Sequence, residues 1–292
     1  MNFGRLITAM VTPFDERLQV DVEQFKRIVD YLISEQRNDA LIVSGTTGES
    51  PTLTDEEKIQ LFELAVKQAN GRCKIIAGTG SNDTAHSIHL TQEAEKTGVD
   101  GIMLVAPYYN RPSHEGLYRH FKAIAESTHL PVMLYNIPSR TGVQFSVDLT
   151  VRLSEIPNIF ATKEAHNDFD HLSQVLAKSR PGFQVYCGDD SLTLPMMSIG
   201  AYGVVSVAAH VVGARMKDMV NAFVQGEVKT AATIHSELFP VFHGLFNCPH
   251  RVPSPAPVKH ALKLLGYDVG GLRLPLVPVT EEEGRFVASL LK

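Results

Sequence analysis

Eight short apolar runs, LITAMV, ALIVSG, KIIAGTG, GIMLVAP, PVMLYNIP, IFATKEA, FQVYCGDD and GVVSVAAH, punctuate this chain in turn. Each is nearly continuous in hydrophobicity, as parallel strands covered on both faces are; a strand with one wet face alternates apolar and polar residues. Between the runs lie stretches such as VEQFKRIVDYLISEQ and EEKIQLFELAVKQA, whose apolar residues recur three or four apart and line one helical face. Thr54, Asp55, Glu56 and Glu57 read as a capping box, so one helix is expected to start near Asp55. A right-handed series of eight parallel strands can close on itself and remove its edges. A repeat of roughly 20 to 35 residues per unit suits an α/β fold of the (β/α)8 TIM-barrel kind. An open doubly wound sheet is the structural alternative.

After about residue 225 the strand signal stops. Helical patterns remain around 227–247, 255–266 and 281–291, separated by CPHRVPSPAP and LRLPLVPVT. The expected organisation is a barrel over residues 1–224 and a C-terminal helical domain over 225–292. With 292 residues, 44% hydrophobic and 20% charged, the chain can bury a core and carries too little charge for disorder. Its net charge of −5 argues against a nucleic-acid partner, which normally demands a basic excess. The cysteines Cys73, Cys187 and Cys248 are far apart and form no paired motif, which points to a reducing compartment. No run reaches membrane-spanning length, and Pro13 interrupts the N-terminus before any signal-peptide core, so a cytoplasmic protein without a membrane partner is expected.

In such a barrel the reactive groups stand at the carboxyl ends of the strands. The second strand ends in Gly45, Thr46, Thr47, Gly48 and Glu49, whose glycines admit an anion to the backbone and whose hydroxyls can bind a carboxylate or relay a proton. A plain strand-to-helix turn is the alternative. Lys163 in IFATKEA is expected to point into the interior, where burial disfavours a charged amine and an uncharged one attacks a carbonyl to form a Schiff base. A one-residue register shift would instead turn it outward, or it would simply pair with Glu164. Tyr135 at the end of the fifth strand can carry protons beside Lys163, and Arg140 after it suits a carboxylate. Tyr108 and Tyr109 fit an interface or a substrate wall equally well.

Twelve histidines raise the question of a metal. The first strand lacks a His-x-His pair, and His86 and His89 are expected on a solvated helix face, so no metal site is assigned. Asp189 and Asp190 read as a helix start capped at Asp190, and Gly78-Thr79-Gly80 is only a fragment of a dinucleotide motif.

The ordered set of Gly45 to Ser50, Pro107 to Pro112, Tyr135 to Gly142 and Lys163 to Ala165 resembles the dihydrodipicolinate synthase family of Schiff-base lyases. The resemblance extends over essentially the whole chain, through Thr12 to Phe14, Gly188 to Asp190, Pro255 to Lys259 and Leu272 to Pro275. It implies condensation of pyruvate with L-aspartate 4-semialdehyde on the route to diaminopimelate and lysine, without metal or organic cofactor, in a homotetramer built as a dimer of dimers. It also implies that Lys163 forms the Schiff base and that Thr46, Tyr135 and Tyr109 relay protons, Tyr109 from a neighbouring subunit. Thr47 would bind the pyruvate carboxylate and Arg140 that of the semialdehyde, with Gly188 and Val205 lining the pocket.

Two departures carry expectations. His166, Asn167 and Asp168 replace small residues and are expected at the pocket rim, where they alter access. Lysine-inhibited members carry histidines and a glutamate where this chain has Asp55, Lys58 and His86, although Ser50, Asn82 and Tyr108 match, so weak or absent feedback is expected. The rivals are a related aldolase acting on a sugar-like aldehyde, which would lack Arg140, and a catalytically silent barrel whose pocket His166 blocks.

Overall fold

A computed structural model describes residues 2–292. The chain runs β1 (Leu6–Ala9), α1 (Val22–Ser34), β2 (Ala40–Val43), α2 (Asp55–Ala69), β3 (Lys74–Gly78), α3 (Thr84–Lys96), β4 (Gly101–Val105) and α4 (His114–Glu126). It continues through β5 (Val132–Asn136), α5 (Pro138–Thr141), α6 (Val147–Ser154), β6 (Ile159–Glu164), α7 (Phe169–Lys178), β7 (Gln184–Cys187), α8 (Thr193–Ser198), β8 (Gly203–Ser206) and α9 (Ala209–Val224). Three helices follow: α10 (Val228–Gly244), α11 (Ala256–Leu264) and α12 (Glu281–Leu290).

All neighbouring strands pair in parallel and β1 pairs with both β2 and β8, so the sheet closes into an eight-stranded barrel. The open-sheet alternative is thereby removed. Because successive side chains alternate across a strand, each strand feeds two cores. Ile7, Ala9, Ala40, Ile42, Ile76, Met103, Met133, Tyr135, Tyr186 and Val205 fill the interior. The other faces of the strands meet the helices through residues such as Leu41, Val43, Leu104 and Leu134. The apolar face of α10 packs on α9 and α12 packs on α10 and α11, and Leu238, Phe242 and Val287 join Met216 and Val220 in one core.

The expected capping box forms: Thr54 Oγ1 accepts the Glu57 amide and Glu57 accepts the Thr54 amide, starting α2 at Asp55. At the seventh strand the expectation shifts by one residue. Asp189, not Asp190, caps the short 3-10 turn by accepting the Ser191 amide. Asp190 instead accepts the Val207 and Ala208 amides beyond β8. Burial pushes its carboxyl up to about 6, against the pull of the hydrogen bonds from Ser206 and those amides. Cys73, Cys187 and Cys248 are free and buried, and among the described residues no helix is long and apolar enough to cross a membrane.

His210, at the start of α9, joins the two ends of the strand series. Its Nδ1 donates to the Val207 carbonyl at 2.8 Å and its Nε2 accepts the Val11 amide at 3.1 Å, which defines a neutral ring. Burial lowers its pKa to about 4, with the bond to Val207 opposing. An unfolded chain takes up this proton near the ordinary histidine value of about 6.5, whereas the folded chain stays neutral until about pH 4. The unfolded state therefore binds more protons across that window, and stability falls as pH falls through it. Urea unfolding is expected to lose roughly 2 kcal/mol between pH 7 and pH 5 from this residue alone. His210→Gln should flatten the pH slope by that amount; an unchanged slope contradicts the account.

Candidate active site

The carboxyl ends of the strands meet a cavity of about 490 Å³. Its wall includes Thr46 from the turn after β2, Gly78 and Gly80 around the end of β3, Met103 and Val105 from β4, Tyr135 from β5, and Arg140 from α5. Lys163 stands behind the phenol ring of Tyr135. The two residues are register partners on β5 and β6, and the Lys163 Nζ lies 4.0 Å from the ring centroid. On its other side Lys163 is the register partner of Tyr186 on β7. Its Nζ lies over a ring of the interior cluster, so the side chain points into the barrel and not toward the helices. Gly188 is needed beside it: a Cβ there would come within 3.0 Å of the Lys163 Cε and 2.8 Å of the Ala165 Cβ. Val205 is buried in the same interior cluster as Tyr135.

The other expected residues fall into three places. Thr47 is buried next to Thr46 but does not line the cavity. Arg140 is exposed at the mouth and makes no ion pair among the described residues, leaving its guanidinium available to an incoming carboxylate. Tyr109 is 91% exposed, with a backbone φ of 72°, and its own chain does not bring it to the cavity. A left-handed backbone is uncommon for a bulky side chain and marks a constrained segment. Here the segment is pinned by Asn110, whose amide donates to the Tyr108 carbonyl and whose Nδ2 donates to the Asn82 carbonyl at 2.9 Å.

Ser50, Asp55, Lys58, Asn82, His86 and Tyr108 line the same cavity as Thr46 and Tyr135. His86 therefore faces the cavity, where a solvated helix face was expected; helical period identifies a face but not the hollow beyond it. Its Nε2 meets Asp55 Oδ2 at 2.7 Å, and Lys58 Nζ reaches Asp55 Oδ1 at 3.3 Å. Burial works to raise the Asp55 carboxyl, but hydrogen bonds from His86 and Lys58 hold it below its ordinary value. The one acid of this cluster is thus already engaged by two partners.

His166 corrects a second expectation. It does not line the cavity; its Nε2 pairs with Glu164 Oε2 at 2.9 Å on the outer side of β6. Pocket access past Lys163 is not blocked by this side chain.

A group that the sequence reading missed holds the threonine turn from behind. Glu49, in a left-handed conformation with φ 58°, meets the Lys259 Nζ at 2.6 Å, and both side chains are buried. Burial draws the Lys259 ammonium down from its ordinary value while Glu49 opposes the shift. Glu49 also accepts the Arg273 amide, and the Arg273 guanidinium clasps Glu57 at 2.6 and 2.7 Å. Lys259 and Arg273 both stand over the Phe14 ring, at 4.3 and 4.5 Å. The family-like segments Pro255 to Lys259 and Leu272 to Pro275 thus anchor the turn that carries Thr46 and Thr47. Their separation in sequence left no local signal of this.

Comparison with known proteins gives the family and the fold. The model of the dihydrodipicolinate synthetase family matches residues 2–292. A 4-hydroxy-tetrahydrodipicolinate synthase of Bacillus velezensis is 53% identical over 291 residues, covering 100% of this chain and 99% of that one. The crystal structure of a dihydrodipicolinate synthase from Bacillus anthracis is 53% identical and superposes with a TM-score of 0.96, covering 100% of this chain and 98% of that one. The same enzyme from Cyanidioschyzon merolae, solved with lysine bound, is 41% identical with a TM-score of 0.95, covering 99% and 97%. Matched along its whole described length, and identical at about half its positions to full-length relatives, the chain belongs to the dihydrodipicolinate synthetase family of lyases.

Proposed function

We propose that this protein condenses pyruvate with L-aspartate 4-semialdehyde through a Schiff base on Lys163, the entry step to diaminopimelate and lysine synthesis. The observation that carries the reading is the buried amine of Lys163, held against Tyr135 beside a hydroxyl-lined cavity that ends at Arg140.

The amine adds to the pyruvate ketone and water leaves, giving an imine whose nitrogen draws electrons from the methyl group. Loss of a methyl proton yields an enamine, and its carbon attacks the aldehyde, which takes up a proton as the new hydroxyl. The amino group of the semialdehyde then attacks the imine carbon, closes the ring and releases Lys163. Each step moves a proton over a short distance, and this is the work assigned to Thr46, Tyr135 and Tyr109. Tyr109 acts in the site of a neighbouring copy, which its outward placement favours, within a homotetramer built as a dimer of dimers. Thr47 and the backbone of its turn receive the pyruvate carboxylate, and Gly188 and Val205 shape the floor. None of these steps calls for a metal or organic cofactor. Residues 1–224 carry the chemistry and residues 225–292 brace it, in the cytoplasm where the three thiols stay reduced.

Arg140 selects the acceptor by binding its carboxylate with a charge-assisted pair. Arg140→Met is expected to cost about 2 kcal/mol, or roughly thirtyfold in kcat/KM for the semialdehyde, with the KM for pyruvate little changed. Steady-state kinetics with the semialdehyde and with sugar-like aldehydes as alternative acceptors checks this. Preference for a sugar aldehyde, or indifference to the substitution, overturns the reading.

Feedback by lysine is weak or absent, because an effector's ammonium entering the cavity meets Lys58 and an Asp55 already engaged. Millimolar L-lysine is expected to leave the initial rate within about a factor of two of the control, roughly 0.4 kcal/mol of coupling or less. Inhibition at micromolar concentration contradicts it.

A further inference from the structure

We propose that Glu164, His166 and His171 form a binding site for a divalent transition-metal ion of the zinc class, on the outer side of β6 and back to back with Lys163. A ligand atom from each of the three lies within 4.8 Å of the others. Two imidazoles and one carboxylate are a donor set that zinc favours, with water completing four-fold coordination. Two of the three are buried, unlike the usual surface groupings of acids: Glu164 is fully buried, His171 is 7% exposed and His166 is partly buried.

An independent observation points to a ligand. The His171 Nε2 is buried and has no hydrogen-bond partner among the described residues. Buried ring nitrogens are normally paired, and a metal ion would satisfy this one. His171 is held by α7, and its ring meets the His166 ring edge-on with centroids 5.1 Å apart.

Glu164 is already oriented as a ligand. Its Oε1 accepts the Thr162 hydroxyl and its Oε2 accepts the Asn136 Nδ2, both at 2.7 Å. Such bonds fix a coordinating carboxylate from behind. The His166 Nδ1 accepts the Asp168 amide at 3.2 Å, so the ring hydrogen sits on Nε2 and points at Glu164. A metal ion takes the place of that hydrogen. Legs of about 2.0–2.1 Å at a tetrahedral angle separate the two ligand atoms by roughly 3.3 Å, a few tenths more than the present 2.9 Å. The hydrogen moves to Nδ1, and the Asp168 amide, on an exposed residue, turns to water. The ion has no part in the condensation. Its effect is to fasten the turn between β6 and α7 and so to stiffen the strand that carries Lys163.

The test is a titration of chelator-stripped full-length protein with cobalt(II), a visible probe of zinc-type sites, followed by competition with zinc. The expected result is a one-to-one four-coordinate cobalt absorption that zinc displaces, with a rise in Tm on adding either ion. His171→Gln and, separately, His166→Gln should keep the metal-free Tm and lose at least about tenfold in affinity together with the absorption. His89→Gln on the exposed face of α3 should change neither. No stoichiometric absorption at micromolar cobalt, or an absorption that survives in both cluster variants and so reports an adventitious ion elsewhere, overturns the proposal. If one variant fails to fold, the other decides.

Discussion

The two-residue period of a single strand separates the chemistry of this protein from its scaffolding. On β6 the side chain of Lys163 enters the barrel, while Thr162 and Glu164 on either side face outward and bond to each other. A slip of one residue would exchange an amine for a carboxylate at the reacting position. The register is fixed from both flanks, by Tyr135 opposite Lys163 on β5 and Tyr186 on β7. It is locked on the outer side by the Asn136 to Glu164 bond, which ties the next residue of each strand together. Burial of the amine against the Tyr135 ring then follows from closing the barrel, whose interior is filled by side chains.

The second constraint is long-range. Thr46 and Thr47 sit on a loop, and loops hold side chains less firmly than strands do. Glu49 counters this by joining the turn to Lys259 on α11 and to the Arg273 amide, and Arg273 in turn clasps Glu57 on α2. A buried ion pair of this kind contributes little net stability, but losing one partner strands a charge and costs several kcal/mol. Its value lies in geometry: α11 and the segment that follows it hold the hydroxyl turn against the mouth of the barrel.

Much of this was legible in the chain. Eight doubly buried strands read as continuous apolar runs because helices cover them outside and side chains fill them inside. Lys163 and Tyr135 stood out as polar residues at strand ends that carried otherwise apolar runs. Less local features escaped. The pairing of Glu49 with Lys259 joins residues at opposite ends of the chain, and no periodicity reports it. A helical wheel puts His86 on a solvated face because it does not reveal the hollow on its far side, and the sequence alone puts His166 at the rim because its turn back onto Glu164 is a tertiary event. Tyr109 lies away from its own cavity, and only the resemblance to a family of oligomers gave it a role.

The central claim is that one particular amine is the nucleophile, and the cavity offers a competitor, since Lys58 lines it directly while Lys163 stands behind Tyr135. Incubating the protein with pyruvate, reducing with borohydride and mapping the peptides by mass distinguishes them. The account predicts a single stable three-carbon adduct, on Lys163. An adduct on Lys58, or none at all, contradicts it.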